Sequence, residues 1–182
     1  NSLPNFIIMA AANESELIRM INTSLQINDR PSSFRFPRGS GNGVDENLDL
    51  GPLEIGKGRI IIEGNGIAII NFGARLDSCI EAIAFLKHKG CYPTLIDARF
   101  AKPLDQSLLN QVIDSHENII TIEEGSIGGF SSALLNYVHN IKKTPTTSKI
   151  KNLIFPDKFI DHNTPENQYK EIGMDSESIA KK

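Results

Sequence analysis

Short apolar segments alternate with amphipathic segments from the first residues of the chain onward. Residues 6–9 are apolar and rich in β-branched side chains, which indicates a buried strand. Asn13, with Glu16 three positions later, has the spacing of a helix start. Apolar residues then recur at helical spacing at Leu17, Met20, Ile21 and Leu25. Residues 33–36 alternate again, so the segment predicts a strand-helix-strand unit of ~30 residues.

A second series of alternating elements follows a linker rich in glycine and acidic residues. Two apolar runs, 59–63 and 67–72, flank Gly64-Asn65-Gly66 and predict a β-hairpin. Further strands are predicted at 94–97, 118–123 and 152–155, and helices at 77–88, 103–115, 130–140 and 165–172. This alternation predicts an α/β fold, with a mostly parallel sheet, helices on both faces and a hairpin strand at one edge.

Composition narrows the class of protein without identifying a site. The 182 residues are 40% hydrophobic and 23% charged, which is ordinary for a globular chain of one or two domains. A net charge of −3 gives no support to nucleic-acid binding. No apolar run is long enough to span a membrane. Cys79 and Cys91 lie in apolar surroundings and fit buried thiols, which favours a reducing, cytoplasmic location.

The segment around Arg38 carries the candidate chemistry. Pro37 should end the strand 33–36, because proline cannot donate to a ladder of hydrogen bonds. Arg38 then stands at the carboxyl end of that strand, where ligands bind in open α/β sheets, and a guanidinium fits phosphate or carboxylate. The alternative is an ordinary surface arginine before a linker. Arg35 is a weaker candidate, with a supporting role in the sheet or at the site mouth.

Other candidate groups favour structural roles. The loop 125–130 lacks the spacing and the lysine of a nucleotide-binding loop. Glu123 and Glu124 should point to opposite faces of a strand, so Glu123 is expected to order a neighbouring backbone amide. Asp97 and Arg99 are expected to form local ion pairs at a domain junction. The histidines, including His162 beside Asp161, match no metal-ligand spacing. We therefore predict no catalytic, cofactor-binding or metal-binding residue in this chain.

Several short motifs follow one another along the chain in the order found in one known family. They are Leu3-Pro4-Asn5 with Met9-Ala10, Arg35-Phe36-Pro37-Arg38-Gly39, Ile55-Gly56-Lys57-Gly58, Asn71-Phe72-Gly73, the stretch 97–105, His116-Glu117, Ile122-Glu123-Glu124-Gly125 and the stretch 156–162. Together they resemble the last third of the 1-deoxy-D-xylulose-5-phosphate synthases, a thiamine-diphosphate family related to transketolase. One departure is Ala11-Ala12-Asn13, where the family often has Pro-Ser-Asp. The resemblance extends over nearly the whole chain.

The resemblance implies a division of the chain and an activity for the parent enzyme. Residues 1–38 would be the end of the pyrimidine-binding domain, 39–54 a linker, and 55–182 the transketolase carboxyl-terminal domain. The family condenses pyruvate with D-glyceraldehyde 3-phosphate, releasing CO2, in the first step of a route to isoprenoids, thiamine and pyridoxal. Arg38 resembles the anchor of the acceptor phosphate. The resemblance implies a homodimer, and for this chain we expect a cytoplasmic location with no nucleic-acid or membrane partner.

The resemblance also implies what this chain lacks. The family binds thiamine diphosphate and Mg2+ through a Gly-Asp-Gly motif, and none of the 14 glycines here is followed by aspartate. The cofactor would therefore bind outside this segment, and the chain alone is expected to be inactive. Two alternatives remain open at this point: another enzyme of the transketolase superfamily, or a non-catalytic dimerisation or binding module of the same fold.

Overall fold

The chain forms two β-sheets, described here by a computed structural model over residues 3–37, 41, 43–44, 49–143 and 149–182. The strands are β1 (Ile7–Ala10), β2 (Ser32–Arg35), β3 (Arg59–Ile62), β4 (Ile67–Phe72), β5 (Thr94–Asp97), β6 (Phe100–Lys102), β7 (Asn118–Glu123) and β8 (Ile150–Leu153). The helices are α1 (Glu14–Gln26), α2 (Leu76–Lys87), α3 (Gln106–Ser115), α4 (Phe130–Asn136), α5 (Pro165–Glu171) and α6 (Ser176–Ile179). The segment Tyr137–Lys142 continues α4 with wider, π-helical turns.

The small sheet has the order β2-β1-β6. β1 and β2 are parallel, in a register from Ile7 opposite Ser32 to Ala10 opposite Arg35, so the predicted strand-helix-strand unit is confirmed. The third strand, β6, was not predicted from the sequence. It runs antiparallel to β1 and comes from the second half of the chain. The small sheet therefore combines two strands from the start of the chain with one strand from the middle of the chain.

The large sheet has the order β3-β5-β4-β7-β8, and the predicted β-hairpin is wrong. β3 pairs antiparallel with β5, whereas β4 lies between β5 and β7 and is parallel to both. The reason lies at Gly64: a Cβ there would overlap the backbone of Tyr92 and Pro93, and Asn65 N–H donates to Tyr92 O at 2.8 Å. Glycine thus serves a close backbone approach here, and the chain crosses over β5 instead of folding back.

Helices cover both faces of the large sheet, as the sequence predicted. Along β4, Ala68, Ile70 and Phe72 face one core with α3 and α4, and Ile69 faces a second core with α2 and α6. This alternation is expected when a strand is buried on both faces. Within the described ranges, no helix is long and apolar enough to cross a membrane.

Helix α1 turns a partly polar face inward. Asn13 caps it by accepting a hydrogen bond from Glu16 N–H at 3.0 Å, as the spacing predicted. Glu16, Met20 and Thr23 are buried, whereas Leu25 keeps 75% of its surface exposed. The spacing of the apolar residues therefore predicted the buried face of α1 only in part. The reason is that Glu16 binds Arg59 and Arg99, which lie far from it in the sequence.

Candidate functional site

A cleft of about 860 Å³ lies where the small sheet meets the second half of the chain. One wall is formed by the residues that follow β1 and β2, including Ala11, Phe36 and Pro37, and by the first turn of α1. The opposite wall comes from the turn between β4 and α2 and from α5. Three strands thus end at this cleft, and such strand ends are where ligands bind in α/β folds.

Arg38, the main candidate from the sequence, lies outside the described residues. Phe36 and Pro37, the two residues immediately before it, line the cleft. β2 ends at Arg35, close to the boundary predicted from Pro37. The structure therefore brings the chain to the cleft edge at the position that precedes Arg38.

Arg35 joins the two sheets. Its guanidinium donates to Glu124 O at 2.6 Å and to Phe72 O at 3.4 Å, and its Cζ lies 5.4 Å from the centre of the Phe72 ring. These contacts fix the carboxyl end of β2 against the carboxyl ends of β4 and β7. Since both polar acceptors are backbone carbonyls, Arg35 orders the strand ends around the cleft.

A cluster of Arg75, Glu124 and Tyr169 forms part of the second wall. The Tyr169 hydroxyl donates a short hydrogen bond to Glu124 Oε1, and the Arg75 Cζ lies 3.6 Å from the centre of the Tyr169 ring. Arg75 Nε lies 3.4 Å from the same Glu124 oxygen. Burial, and then the hydrogen bond to Glu124, raise the pKa of Tyr169 to about 12, so the phenol stays protonated and donates.

A buried ionic network lies on the other side of α1. Glu16 binds Arg99 through two hydrogen bonds of 2.7 and 2.8 Å and lies 3.2 Å from Arg59 Nη1. Arg59 also contacts Asp97 Oδ2 through Nε and Nη2, each at 3.2 Å. The expected ion pairs of Asp97 and Arg99 thus exist, but they are long-range and not local. Burial raises the pKa of Asp97 to about 6 despite the neighbouring arginines.

The loop before α4 is closed by Glu123, as the sequence predicted for this residue. Glu123 accepts hydrogen bonds from Phe130 N–H and Ser131 N–H, each at 2.8 Å. A Cβ on Gly129 would overlap this carboxylate, so glycine leaves the room that the carboxylate needs. The side chain occupies the amides that a phosphate would use. Glu124 points instead to the cleft cluster, which confirms that the two carboxylates share no site.

The histidines and acids form no metal centre in the part of the chain that the structure describes, where no three such residues cluster. His116 is buried and contacts Thr94 Oγ1 through Nε2 at 2.7 Å and Ser115 Oγ through Nδ1 at 2.9 Å. Asp161 and His162 are exposed. The described residues therefore offer no set of ligands for the Mg2+ of a thiamine diphosphate cofactor.

Sequence reasoning did not find Arg75 or Tyr169. They lie 94 positions apart, in the turn before α2 and on a short helix without buried residues. No motif connects them in the sequence. The only available signal was the position of Arg75 shortly after β4, at a strand end that could face a site.

Comparisons with known proteins place this geometry in a family. Residues 56–179 match the family described as transketolase, C-terminal domain. The probable 1-deoxy-D-xylulose-5-phosphate synthase 2, chloroplastic, of Oryza sativa subsp. japonica is 43% identical over 180 residues, which are 98% of this chain and 25% of that protein. A solved chain described as a split gene transketolase, inactive β4 tetramer, shares the fold at 24% identity with a TM-score of 0.85, over 99% of this chain and 57% of that one. The chain thus spans a quarter of the synthase it matches.

Proposed function

This chain belongs to the transketolase C-terminal domain family, and from that premise we propose that it is the carboxyl-terminal part of a 1-deoxy-D-xylulose-5-phosphate synthase. Such an enzyme condenses pyruvate with D-glyceraldehyde 3-phosphate and releases CO2. One observation carries the proposal: the 43% identity to the rice protein extends over 98% of the chain, beyond the family match and across the Arg35–Gly39 motif.

The proposed domain division is residues 1–38, 39–54 and 55–182. The parallel pair β1 and β2 with α1 supports a piece of a pyrimidine-binding domain at the start. The segment 49–53 packs on α1, since Leu53 N–H donates to Thr23 Oγ1 at 2.7 Å and Asn22 donates to Leu50 O at 2.8 Å. The carboxyl-terminal part of the linker thus packs against the first unit. Limited proteolysis followed by mass spectrometry tests the division, and first cleavage inside 55–143 would contradict it.

Arg38 is proposed to hold the phosphate of the acceptor, D-glyceraldehyde 3-phosphate. The cleft-lining positions of Phe36 and Pro37 support this role, and Arg35 would keep the strand end in place. A charge-assisted hydrogen bond contributes about 1.5–3 kcal/mol, which corresponds to a ~10- to 100-fold change in binding. In the parent enzyme, Arg38→Ala should therefore raise the Michaelis constant for the acceptor ~10- to 100-fold and leave that for pyruvate nearly unchanged. Equal changes for both substrates would exclude this role.

The cofactor is proposed to bind outside this segment. Thiamine diphosphate supplies the carbanion chemistry of the family, and Mg2+ would accompany its diphosphate. This chain would contribute the orienting groups around the acceptor and would be inactive alone. Calorimetric titration of the folded 182-residue chain with thiamine diphosphate and Mg2+ tests this, and we expect no heat of binding. Tight binding would contradict the proposal.

We also propose a homodimer in the cytoplasm, with no nucleic-acid or membrane partner. The rice relative is described as chloroplastic, which concerns that protein. Light scattering coupled to size exclusion measures the oligomer of the parent enzyme, and a monomeric mass would contradict the dimer. Fluorescence of a tagged parent enzyme in its own cells tests the compartment. A signal confined to an organelle would contradict the proposed cytoplasmic location.

A further inference from the structure

The side chain of Arg75 is fixed from two sides at the cleft wall. Its guanidinium stacks on the Tyr169 ring at 3.6 Å, and its Nε lies 3.4 Å from Glu124 Oε1. The Tyr169 hydroxyl donates to that same oxygen, so both neighbours are themselves tied together. A guanidinium held in this way loses little further rotamer freedom when it binds a ligand, which is the benefit of preorganisation.

The hydrogen-bonding capacity of Arg75 is nevertheless unused. The Nε atom is buried and makes no hydrogen bond, because its contact with Glu124 Oε1 lacks hydrogen-bond alignment. Among the described residues, no acceptor binds either terminal nitrogen, although a guanidinium carries five N–H donors. The residue lines the cleft, and its side chain keeps 17% of its surface exposed. A planar donor edge of this kind fits the two oxygens of a carboxylate or phosphate.

The charges around the cleft favour one end of it for an anion. Glu14, Asp77 and Glu166 also line the cleft, and Arg75 is the one cationic side chain among its described lining residues. Helix α2 begins at Arg75 without a side-chain cap, and the positive end of its dipole adds to the arginine. A small ligand with an anionic group at one end and hydroxyl or carbonyl groups at the other would therefore place its anionic group at Arg75.

We propose that Arg75 is a specificity-determining residue of the cleft, which binds the oxyanion of a small carboxylate or phosphate substrate. This inference rests on the proposed function and deepens it, because both proposed substrates carry such a group. Arg75 belongs to the wall formed by β4 and α2, opposite the wall that leads to Arg38. The oxyanion is either the carboxylate of pyruvate or the phosphate of the acceptor.

The experiment titrates the 182-residue chain separately with inorganic phosphate and with pyruvate, followed by 15N NMR of the arginine Nε–H and backbone signals. Arg75→Gln should weaken binding of at least one anion ~10-fold or more, and Arg75→Lys should retain part of it. Arg30→Gln is the control for loss of a positive charge. Arg30 is exposed, pairs with Asp29 and lies before the start of β2, whereas the cleft lies at the carboxyl end of that strand. Circular dichroism checks that each variant is folded. If Arg75→Gln is unfolded, the anion affinity of Arg75→Lys is the measurement that tests the proposal.

Each outcome decides the proposal. Weaker binding of phosphate alone assigns Arg75 to the acceptor, and weaker binding of pyruvate alone assigns it to the donor carboxylate. Unchanged affinities in both Arg75 variants, or no binding of either anion to the unmodified chain, would overturn the proposal. Arg38→Gln is measured in parallel: if it weakens phosphate binding while Arg75→Gln does not, the proposed function survives and this inference fails. The reverse result would remove the role of Arg38 and retain that of Arg75.

Discussion

Removal of the charge of Glu16 should destabilise the fold strongly, although no catalytic role is assigned to it. Its side chain is 1% exposed and contacts three arginines: Arg99 at 2.7 and 2.8 Å, Arg59 at 3.2 Å and Arg19 at 3.4 Å. Glu16→Gln keeps the shape of the side chain and one acceptor oxygen. Asp97 remains as the second carboxylate of the network, 3.2 Å from Arg59 Nη2.

The size of the effect follows from the burial of this network. Removing one partner of a buried ion pair costs about 3–5 kcal/mol, because the other charge stays buried without compensation. The remaining carboxylate and the retained amide oxygen place the expected loss near the lower end, about 3 kcal/mol. With a urea m-value of about 2 kcal/mol/M, this loss lowers the unfolding midpoint by about 1.5 M. Such a loss is a large part of the stability of an ordinary domain.

The assay is urea unfolding of the 182-residue chain, followed by circular dichroism, with Glu14→Gln as the matched control. Both glutamates lie in the first turn of α1, so both substitutions lose the same interaction with the helix dipole, at most about 1 kcal/mol. If Glu16→Gln lies within about 1 kcal/mol of that control, the network does not stabilise the fold as argued. The double variant Glu16→Gln/Arg99→Gln should lose less than the sum of the single losses, since they share one interaction.

Two further predictions concern the buried carboxylates. Burial raises the pKa of Asp97 from 3.8 to about 6, so the folded state binds a proton at this carboxylate more tightly than the unfolded state does. The free energy of unfolding should therefore increase by about 3 kcal/mol as the pH falls from about 7 to about 4. Asp97→Asn should remove that part of the pH dependence in urea unfolding, and an unchanged slope would contradict the argument. Gly129→Ala should displace the Glu123 carboxylate from the amides of α4 and cost about 2–3 kcal/mol in thermal unfolding. The exposed Ser126→Ala in the same loop should have no effect, and equal melting temperatures would refute the role of Gly129.

The sequence was sufficient for those elements whose cause is local. The strands at 94–97 and 118–123 agree with the structure residue by residue, because apolar β-branched runs between turn residues specify them directly. The cap of α1 by Asn13 has the same local origin. Strand pairing was less accessible: β6 has three residues, and its pairing with β1 depends on contacts about 90 positions apart.

The candidate site was predictable only where one segment carried it. The alternation of 33–36 and the following proline correctly indicated a strand, and the two residues after β2 line the cleft. The second wall depends on Arg75, Glu124 and Tyr169, whose side chains meet through the packing of three separate elements. The same holds for Glu16, which the spacing assigned only to the start of a helix and which the fold uses for ion pairs. Long-range charge pairing leaves no periodic trace in a sequence.

The two walls of the cleft are held together by three independent sets of contacts. β6 brings residues of the second half into the small sheet, Arg35 binds the carbonyls at the ends of β4 and β7, and Glu16 binds Arg99 and Arg59 from α1. Each set crosses from the first 37 residues to the second half of the chain. These contacts hold the two walls in place, so the cleft is formed within a segment that matches a quarter of its relative. A binding site gains affinity when its groups are positioned in advance. The position of the two walls therefore depends on Arg35, Arg59 and Arg99, which act here by binding other groups of the protein.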